Sequence, residues 1–496
     1  MNDIQSNKFP WYLPLAAAYP VLTLYAANVD ETDLLSVGIA VAVTVTLSLV
    51  FWLLIGAIVK NIWRAALPVS VAILFFFLYK YGQIVSGLGH TVYLPLHSVL
   101  GAVAIALTWL IDCRRGKVRI IAIVATSCLV AAALLQAAGS GIIIRLFQES
   151  DKQGNLKITE RHVLSAATLK KFPDVYCIIL DSYANCSALS NWFQFDNTQF
   201  INALKTRGFN LPQTNASNYA ATKNAIPSLL NMGYSNSENN VPAYLVRKGY
   251  EFWYSRSVYN MDKSATLADR VLGDDYGTEF WHQLVLLSML GPSWKTFGNQ
   301  YRNTILNNFK HLEESAKNNN SKPLFMFAHI MVPHSPFVFK ADGNSQYLLY
   351  TGSRKDIPKL KAAYVEQCLF ANNKVLVAID AITSSERGQN AVIVLMGDHG
   401  PFYQLFSPKP EEGINENWES AMYQNLLAIR LPHGDVQKIP DLTNVNVFRW
   451  ILHKVFKEDY NPISNKFFRD YVGGENPADA TLILGPQLGF PSEKKP

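Results

Sequence analysis

Cysteine is scarce in this chain, with five in 496 residues. That is too few for a disulfide scaffold, so burial of apolar surface has to hold the fold. Charge is scarce as well: 17% of residues are charged against 49% apolar, where soluble domains average about 25% charged. The opposite composition, poor in apolar residues and rich in charge, is what keeps a chain disordered, and it is absent. The deficit is uneven. Residues 1–145 carry nine Lys/Arg and five Asp/Glu, and the remaining 351 residues carry 68 charged ones. One uniform soluble globule is thereby excluded. The net charge of +6 is too dilute over this length to argue for nucleic acid, and no such partner is expected.

Long apolar runs fill the charge-poor part. Uncharged gaps lie between Lys8 and Asp30, Asp33 and Lys60, Arg64 and Lys80, Tyr81 and Ile111, and Ile120 and Ile144. Four of them reach the ~20 residues that cross a bilayer. The third spans if Lys80 snorkels to the interface; a re-entrant or buried helix is the alternative. The first run is too long for the core of a cleaved signal, and four more follow it. The turns Lys60–Arg64 and Asp112–Arg119 are basic, whereas Asp30–Asp33 is acidic. Positive loops stay in the cytoplasm, so the amino terminus is expected inside and everything after the fifth helix outside. Within the spans the ionisable residues are His90 and His97, near the start of the fourth. A transporter usually carries acids or Arg at mid-membrane, so this bundle reads as an anchor. His90 is a candidate for lipid headgroup contact, with a solvated interfacial residue as the plainer reading.

The expected organisation is a five-helix transmembrane anchor over residues 1–146, a polar connector over 147–172, a catalytic domain over 173–472 and an irregular tail over 473–496. From Pro173 onward, short apolar runs alternate with longer amphipathic stretches, the pattern of an α/β domain with a mostly parallel sheet. The clearest strand candidates are Val175–Leu180, Leu324–Ala328, Ala391–Met396 and Leu426–Leu431. The first ends in Asp181, the second runs into His329 and then His334, and the third runs into Gly397-Asp398-His399-Gly400. Parallel sheets bind ligands beyond the carboxyl ends of their strands, so three strands deliver an acid or a histidine to one rim. Two carboxylates and a histidine there suit one divalent cation, Mn²⁺ or Zn²⁺, with Mg²⁺ as a third choice. Singly, Asp181 could cap a helix and Asp398 could sit in a turn.

Several segments together resemble the lipoteichoic acid synthase and phosphoethanolamine transferase branch of the alkaline phosphatase and sulfatase superfamily. Pro173–Asp181 resembles its opening strand with a metal-binding acid, Phe195-Asp196-Asn197 and Arg207-Gly208-Phe209 the segment after it, and Asn218-Tyr219-Ala220-Ala221-Thr222 the nucleophile motif. His329–Phe337 resembles the histidine-rich substrate segment, Tyr364–Gln367 with Asn372 the helix before the last strand, and Gly397–Gly400 the second metal motif. Relatives often carry an Arg and an acid where this chain has Ala184-Asn185-Cys186, and often a Gln where it has Ala221. The resemblance implies Thr222 as nucleophile and Asp181, Thr222, Asp398 and His399 around the metal. Without it, a helix N-cap would be the favoured reading of Thr222.

A threonine hydroxyl needs a base or a metal to act as nucleophile at neutral pH. Thr222 would attack a phosphodiester phosphorus, and an acceptor hydroxyl or water would resolve the phospho-threonine. His334 is the candidate for offsetting phosphoryl charge and His329 for protonating the leaving group or contacting phosphate, with the two roles exchangeable. A true sulfatase makes formylglycine from a Cys or Ser in a Cys/Ser-x-Pro-x-Arg motif, and Thr222-Lys223-Asn224-Ala225-Ile226-Pro227 has none of those features. The expected activity is transfer of a phosphoethanolamine or phosphoglycerol group from a membrane phospholipid donor to a glycan or glycolipid acceptor, outside a bacterial cytoplasmic membrane. A sulfatase-like hydrolase is the alternative, and a membrane-anchored pseudoenzyme or assembly factor the second. Of the remaining features, His282 and His311 read as ordinary residues, and Cys186 and Cys368 have no evident reason to pair. Trp253, Trp281 and Trp294 read as core packing ahead of an acceptor groove, and Arg354–Lys361 as a solvated helix start ahead of a headgroup contact.

Overall fold

The computed structural model describes residues 8–27, 34–86, 90–110, 116–150, 172–234, 240–257, 263–273, 284–285, 287–290, 295–348, 356–402, 405, 416–470 and 478–490. The chain forms two compact units. One gathers residues 1–153, 276–297 and 351–353, and the other 154–275, 298–350 and 354–496. The acidic turn Asp30–Asp33, most of the basic turn after Asp112, residues 151–171 of the connector, His282, Trp281, Trp294 and Arg354 lie outside the described residues, as does the side chain of His90.

The membrane unit is built from α1 (Tyr12–Ala27), α2 (Leu34–Ile58), α3 (Ile62–Ser86), α4 (His90–Trp109) and α5 (Gly116–Ser150). Four of them are long and apolar enough to cross a membrane. The third segment is among these, because its helix runs beyond both Arg64 and Lys80 and reaches spanning length over Ile62–Gln83; the short one is α1, with 16 residues. Its Tyr12 and Leu13 pack against Trp52, Ala65, Ala66 and Val69. Leu47, Leu54, Leu107 and Leu135 point outward and are more than half exposed, an apolar surface that lipid rather than water suits. His97 is buried and satisfied: Tyr93 O–H donates to Nδ1 at 3.0 Å and Nε2–H donates to the Phe75 carbonyl at 2.9 Å. The α5 helix runs to Ser150, past the end expected for the anchor.

The second unit is an α/β domain. Its strands are β1 (Val175–Leu180), β2 (Phe209–Asn210), β3 (Asn215–Ala216), β4 (Glu251–Ser255), β5 (Arg270–Leu272), β6 (Leu324–Ile330), β7 (Phe337–Phe339), β8 (Ser345–Leu348), β9 (Val392–Gly397), β10 (Leu427–Arg430), β11 (Leu442–Thr443), β12 (Phe468–Arg469) and β13 (Ala478–Asp479). Among the described residues the main sheet has seven strands in the order β2-β10-β9-β1-β6-β4-β5. The five from β9 to β5 are parallel, and β10 and β2 join antiparallel. Strands β1, β6 and β9 are buried along their whole length, as uninterrupted apolar runs covered on both faces should be. Strand β6 extends two residues beyond the expected Ala328, so His329 lies within it.

Register decides what this sheet delivers. Ile179 pairs with His329 and Met396, and Leu180 with Ile330 and Gly397. Side chains alternate faces along a strand. Val175, Cys177 and Ile179, Phe325 and Phe327, and Val392, Val394 and Met396 therefore share one face, packed with Ile226, Leu229, Val447 and Ile451 from the helices Thr222–Asn231 and Asn444–Phe456. Two residues further on, the same stripes reach Asp181, His329 and Asp398.

The register is tied at the opposite, amino end by Asp174. Its carbonyl accepts from Val392 N–H at 2.8 Å and its Oδ1 from Leu324 N–H at 2.7 Å, so one residue joins β1 to the first residues of β6 and β9. A buried carboxylate is costly unless paired, and Arg387 grips this one in a fork, Nη2 to Oδ1 at 2.6 Å and Nε to Oδ2 at 3.0 Å. The tail departs from the expected irregular chain: Ala478–Asp479 pairs with β12, and Thr481–Gln487 is a helix whose Leu484 packs with Phe467, Tyr423 and Phe490. Replacing Asp174 by Ala leaves the Leu324 amide without its acceptor and Arg387 without its partner. Unfolding of the detergent-solubilised protein should show it destabilised by about 3 kcal/mol.

Candidate active site

Asp181 and Asp398 stand side by side at the carboxyl ends of β1 and β9, both fully buried. Ser182 links them. Its backbone N–H donates to Asp398 Oδ1 at 2.9 Å and its hydroxyl to Asp181 Oδ1 at 2.8 Å, which leaves the two Oδ2 atoms for other partners. This link holds Ser182 in the left-handed region, φ +62°, where a non-glycine residue is strained. Tyr364 O–H clamps the strained peptide by donating to the Ser182 carbonyl at 2.7 Å. The glycines around Asp398-His399 are there for space. A Cβ on Gly397 would stand 2.4 Å from the Tyr183 carbonyl oxygen, and one on Gly400 2.1 Å from that of Ala421.

The remaining atoms converge on one point. Thr222 O–H donates to Asp181 Oδ2 at 3.3 Å, and the Thr222 hydroxyl oxygen lies 3.3 Å from His399 Nε2. His329 Nε2–H donates to Asp181 Oδ2 at 3.0 Å. His399 Nδ1–H donates to the Gly400 carbonyl at 2.7 Å, which leaves the Nε2 lone pair facing Thr222 and Asp398 Oδ2, the latter at 3.4 Å. Asp398 Oδ2 is buried and has no hydrogen-bond partner. An orphaned buried carboxylate oxygen is expensive, and it fits a cation. Ligand atoms of Asp181, His329 and Asp398 all lie within 4.8 Å of one another. The donor set therefore fits one divalent cation, with His329 inside the cluster where the sequence reading set it apart for proton transfer or phosphate contact. Burial opposes the charge on Asp181, but His334, His329 and His399 together hold its carboxyl below the usual range. Burial likewise disfavours the charged form of both imidazoles, and the carboxylates outweigh it: Asp181 raises His329, and Asp398 with Asp181 raises His399.

Thr222 is the first residue of its helix, with Ala221 at the N-cap. Its turn is held by a strap the sequence reading did not find. Asn218 donates to the Lys466 carbonyl at 2.8 Å, Phe468 N–H donates to the Asn218 carbonyl at 3.0 Å, and Phe468 stacks on Tyr219 with ring centroids 5.0 Å apart. Asp470 closes the strap by accepting from Ala220 N–H and Asn224 Nδ2, each at 2.9 Å. Burial outweighs these donors and pushes its carboxyl above the ordinary range. Behind Asp398, Asn444 Nδ2 donates to its carbonyl at 2.7 Å, and Asn425 Nδ2 to that of Gly397 at 2.6 Å. Nothing in the local sequence marks Ser182, Asn425, Asn444 or Asp470, because each acts through a partner far away in the chain.

His334 sits apart, in the loop after β6, where it lines a small open pocket with Ser182, Phe337, Tyr364 and Phe402. Gln367 holds that loop with all of its hydrogen-bonding capacity in use. Its Oε1 accepts from Val338 N–H at 2.6 Å and Phe339 N–H at 3.1 Å, and its Nε2 donates to the carbonyls of Pro333 at 3.2 Å and His334 at 3.0 Å. Asn372 belongs to a buried ring with Tyr183 and Asn197, in which Asn197 donates to the Tyr183 hydroxyl and Asn372 to Asn197, each at 2.9 Å. Elsewhere, His311 accepts from or donates to the Ser255 hydroxyl at 2.9 Å, and Cys186 and Cys368 are free thiols, one exposed and one buried.

A buried carboxylate and histidine cluster beneath a threonine, at the carboxyl ends of parallel strands, is a candidate site for one divalent cation. The family model for Sulfatase matches residues 173–452, and the chain belongs to the sulfatase family. No curated protein matches it by sequence. Among solved structures it is similar to the C-terminal periplasmic domain of EcEptC from Escherichia coli, at 14% identity and TM-score 0.45 over 64% of this chain and 96% of that one. It is also similar to the integral membrane protein lipooligosaccharide phosphoethanolamine transferase A from Neisseria meningitidis, at 11% identity and TM-score 0.39 over 90% and 95%. A third is the phosphonate monoester hydrolase of Agrobacterium radiobacter, at 11% identity and TM-score 0.40 over 61% and 82%. The strap from Lys466 to Asp470 lies beyond the residues that the family model matches.

Protons compete with a cation for His399, and a charged His329 beside Asp181 opposes the cation as well; the carboxylates raise the pKa values of both imidazoles. Metal loading should therefore release protons, and affinity should begin to fall above the ordinary histidine range as pH is lowered, reaching further loss once both imidazoles are charged. Calorimetric Zn²⁺ titration in buffers of different ionisation enthalpy between pH 5.5 and 8.5 measures both effects.

Proposed function

We propose that this protein transfers a phospho-alcohol group, phosphoethanolamine or phosphoglycerol, from a membrane phospholipid to a glycan or glycolipid acceptor outside the cytoplasmic membrane. The observation that carries the reading is the meeting of Thr222 Oγ with Asp181 Oδ2 and His399 Nε2 beside the unpartnered Asp398 Oδ2. Asp181, Thr222, Asp398 and His399 would hold one divalent cation, Mn²⁺ or Zn²⁺, with His329 against Asp181. When bound, such a cation lowers the cost of the threonine alkoxide and offsets charge on a phosphoryl oxygen.

The chain's own residues account for the rest. Thr222 gives up its hydroxyl proton to solvent, and its Oγ then forms a bond to phosphorus as the bond to the diacylglycerol oxygen breaks. That alkoxide takes a proton from His334, which borders the site from the open pocket side. The acceptor hydroxyl then attacks the phospho-threonine, giving its proton to His334, and Thr222 is restored as leaving group. Thr222 opens its helix, so the positive end of the helix dipole faces the phosphoryl group. The membrane unit favours transfer over hydrolysis in solution, because a tethered enzyme meets a lipid donor at high local concentration. The basic turns at Lys60–Arg64 and Asp112–Arg119 support an orientation that places the catalytic domain outside.

Incubation of the purified protein with lipids carrying labelled headgroups and Mn²⁺, followed by mass spectrometry, should find the added mass of the headgroup phosphate on Thr222. Thr222→Ala should lose both adduct and turnover; turnover equal to wild type would sink the mechanism. Release of free phospho-alcohol with no labelled glycan acceptor would favour the hydrolase instead. Asp470→Ala frees the turn that carries Thr222 without touching the reacting atoms. It should lower kcat by about 10²-fold with KM little changed, as steady-state kinetics would show.

A further inference from the structure

Residues 276–297 follow β5 in sequence and run into the start of the helix Lys295–Ser315, yet they group with the membrane helices. Between Asp275 and Lys295 the sequence holds one charged residue, Glu279, and its centre, Leu284-Val285-Leu286-Leu287-Ser288-Met289-Leu290, is six apolar residues and a serine, with Trp281 before it and Trp294 after it. An apolar run this short cannot span a bilayer. Tryptophans flanking such a run are the usual markers of the membrane interface.

The described residues of this run pack inside the bundle. Leu284 is 2% exposed and clusters with Val21 and Leu24 of α1 and Val37 and Ala40 of α2, with Leu287 partly buried against the same group. Met289 N–H donates to the Phe76 carbonyl of α3 at 2.9 Å. Phe76 lies in the uncharged run between Arg64 and Lys80, four residues on the apolar side of Lys80, or about 5–6 Å along the helix. The contacts fall near the carboxyl ends of α1 and α3 and the amino end of α2, which an alternating topology puts on one side of the membrane. The backbone donors of Ser288, Met289 and Leu290 are paired within the protein, as hydrocarbon requires. Ser288 N–H donates to the Val285 carbonyl at 3.1 Å, Met289 N–H goes to Phe76, and Leu290 N–H donates to Ser288 Oγ at 3.2 Å, while that hydroxyl donates to Val285 at 2.7 Å. Leu290, by contrast, is 47% exposed.

We propose that Leu284–Leu290 is a re-entrant element of the membrane anchor, dipping into the bilayer beside α1, α2 and α3 with Leu290 turned to lipid acyl chains. Near 275 and 297 the chain then passes between the catalytic and membrane units, as it does after α5. This inference does not depend on the reaction assigned to Thr222.

Site-directed spin labelling of the full chain in liposomes tests it. Leu290→Cys is made with Cys113, Cys128 and Cys186 replaced by Ser, leaving the buried Cys177 and Cys368. Its accessibilities to dissolved oxygen and to an aqueous nickel chelate are compared with those of two controls: Leu135→Cys, 73% exposed on α5, and Val436→Cys, 81% exposed on the catalytic unit. The expected oxygen-to-nickel ratio matches Leu135→Cys and exceeds Val436→Cys several-fold. A ratio equal to that of Val436→Cys overturns the proposal. Leu287→Cys, labelled in the same background, gives an independent reading with the same two outcomes.

Discussion

The carboxylate of Asp174 is the constraint on which the catalytic domain rests. It sits just before the first strand, is buried, and is made affordable by the two-pronged grip of Arg387. Through one side-chain oxygen and one carbonyl it fixes where β6 and β9 begin relative to β1. Three apolar strands can slide against one another with little loss of burial, since Val, Ile, Leu and Phe are nearly interchangeable to their neighbours. A clamp at one end removes that freedom. With register fixed, one face of the sheet runs from apolar side chains at its centre to Asp181, His329 and Asp398 at its carboxyl rim, and the helix carrying Thr222 packs on that same face.

The site is held by polar groups whose own contribution to stability is small and whose contribution to geometry is large. Ser182 joins the two carboxylates, Asn444 and Asn425 hold the carbonyls of Asp398 and Gly397, Gln367 holds the His334 loop, and Asp470 holds the turn before Thr222. Each is saturated or nearly so, which a buried polar network has to be. Asp398 Oδ2 is the exception within the network, and that unmet oxygen lies where a cation would bring the cluster's negative charges into balance.

The membrane unit follows a different solvent. Water rewards apolar burial, whereas a bilayer is indifferent to it and penalises any backbone group left unpaired. Outward-facing leucines on α2, α4 and α5 are therefore unremarkable there, and the internal pairing of Ser288, Met289 and Leu290 matters more than their hydrophobicity. His97 shows the same economy, with both ring nitrogens bonded inside the bundle.

Much of this was legible in the order of residues. Uncharged runs identify helices long enough to cross a membrane, since charge in hydrocarbon is costly whatever surrounds it. Apolar strands ending in Asp181, His329 and Gly397–Gly400 mark a ligand-binding rim, because strand ends of a parallel sheet share one side by topology alone. Thr222 was legible through its motif's resemblance to a family, not through its local chemistry, which reads equally well as a helix cap. Tertiary structure alone decided that His329 lies within β6 and points at Asp181, that Ser182 bridges the two carboxylates, that Asp470 holds the nucleophile's turn across 250 residues, and that Leu284 packs among α1 and α2. The physical reason is common to all four. Hydrophobic pattern and strand-end chemistry are properties of a residue and its near neighbours, whereas register and long-range hydrogen bonds are properties of pairs, and no local run of residues specifies its partner.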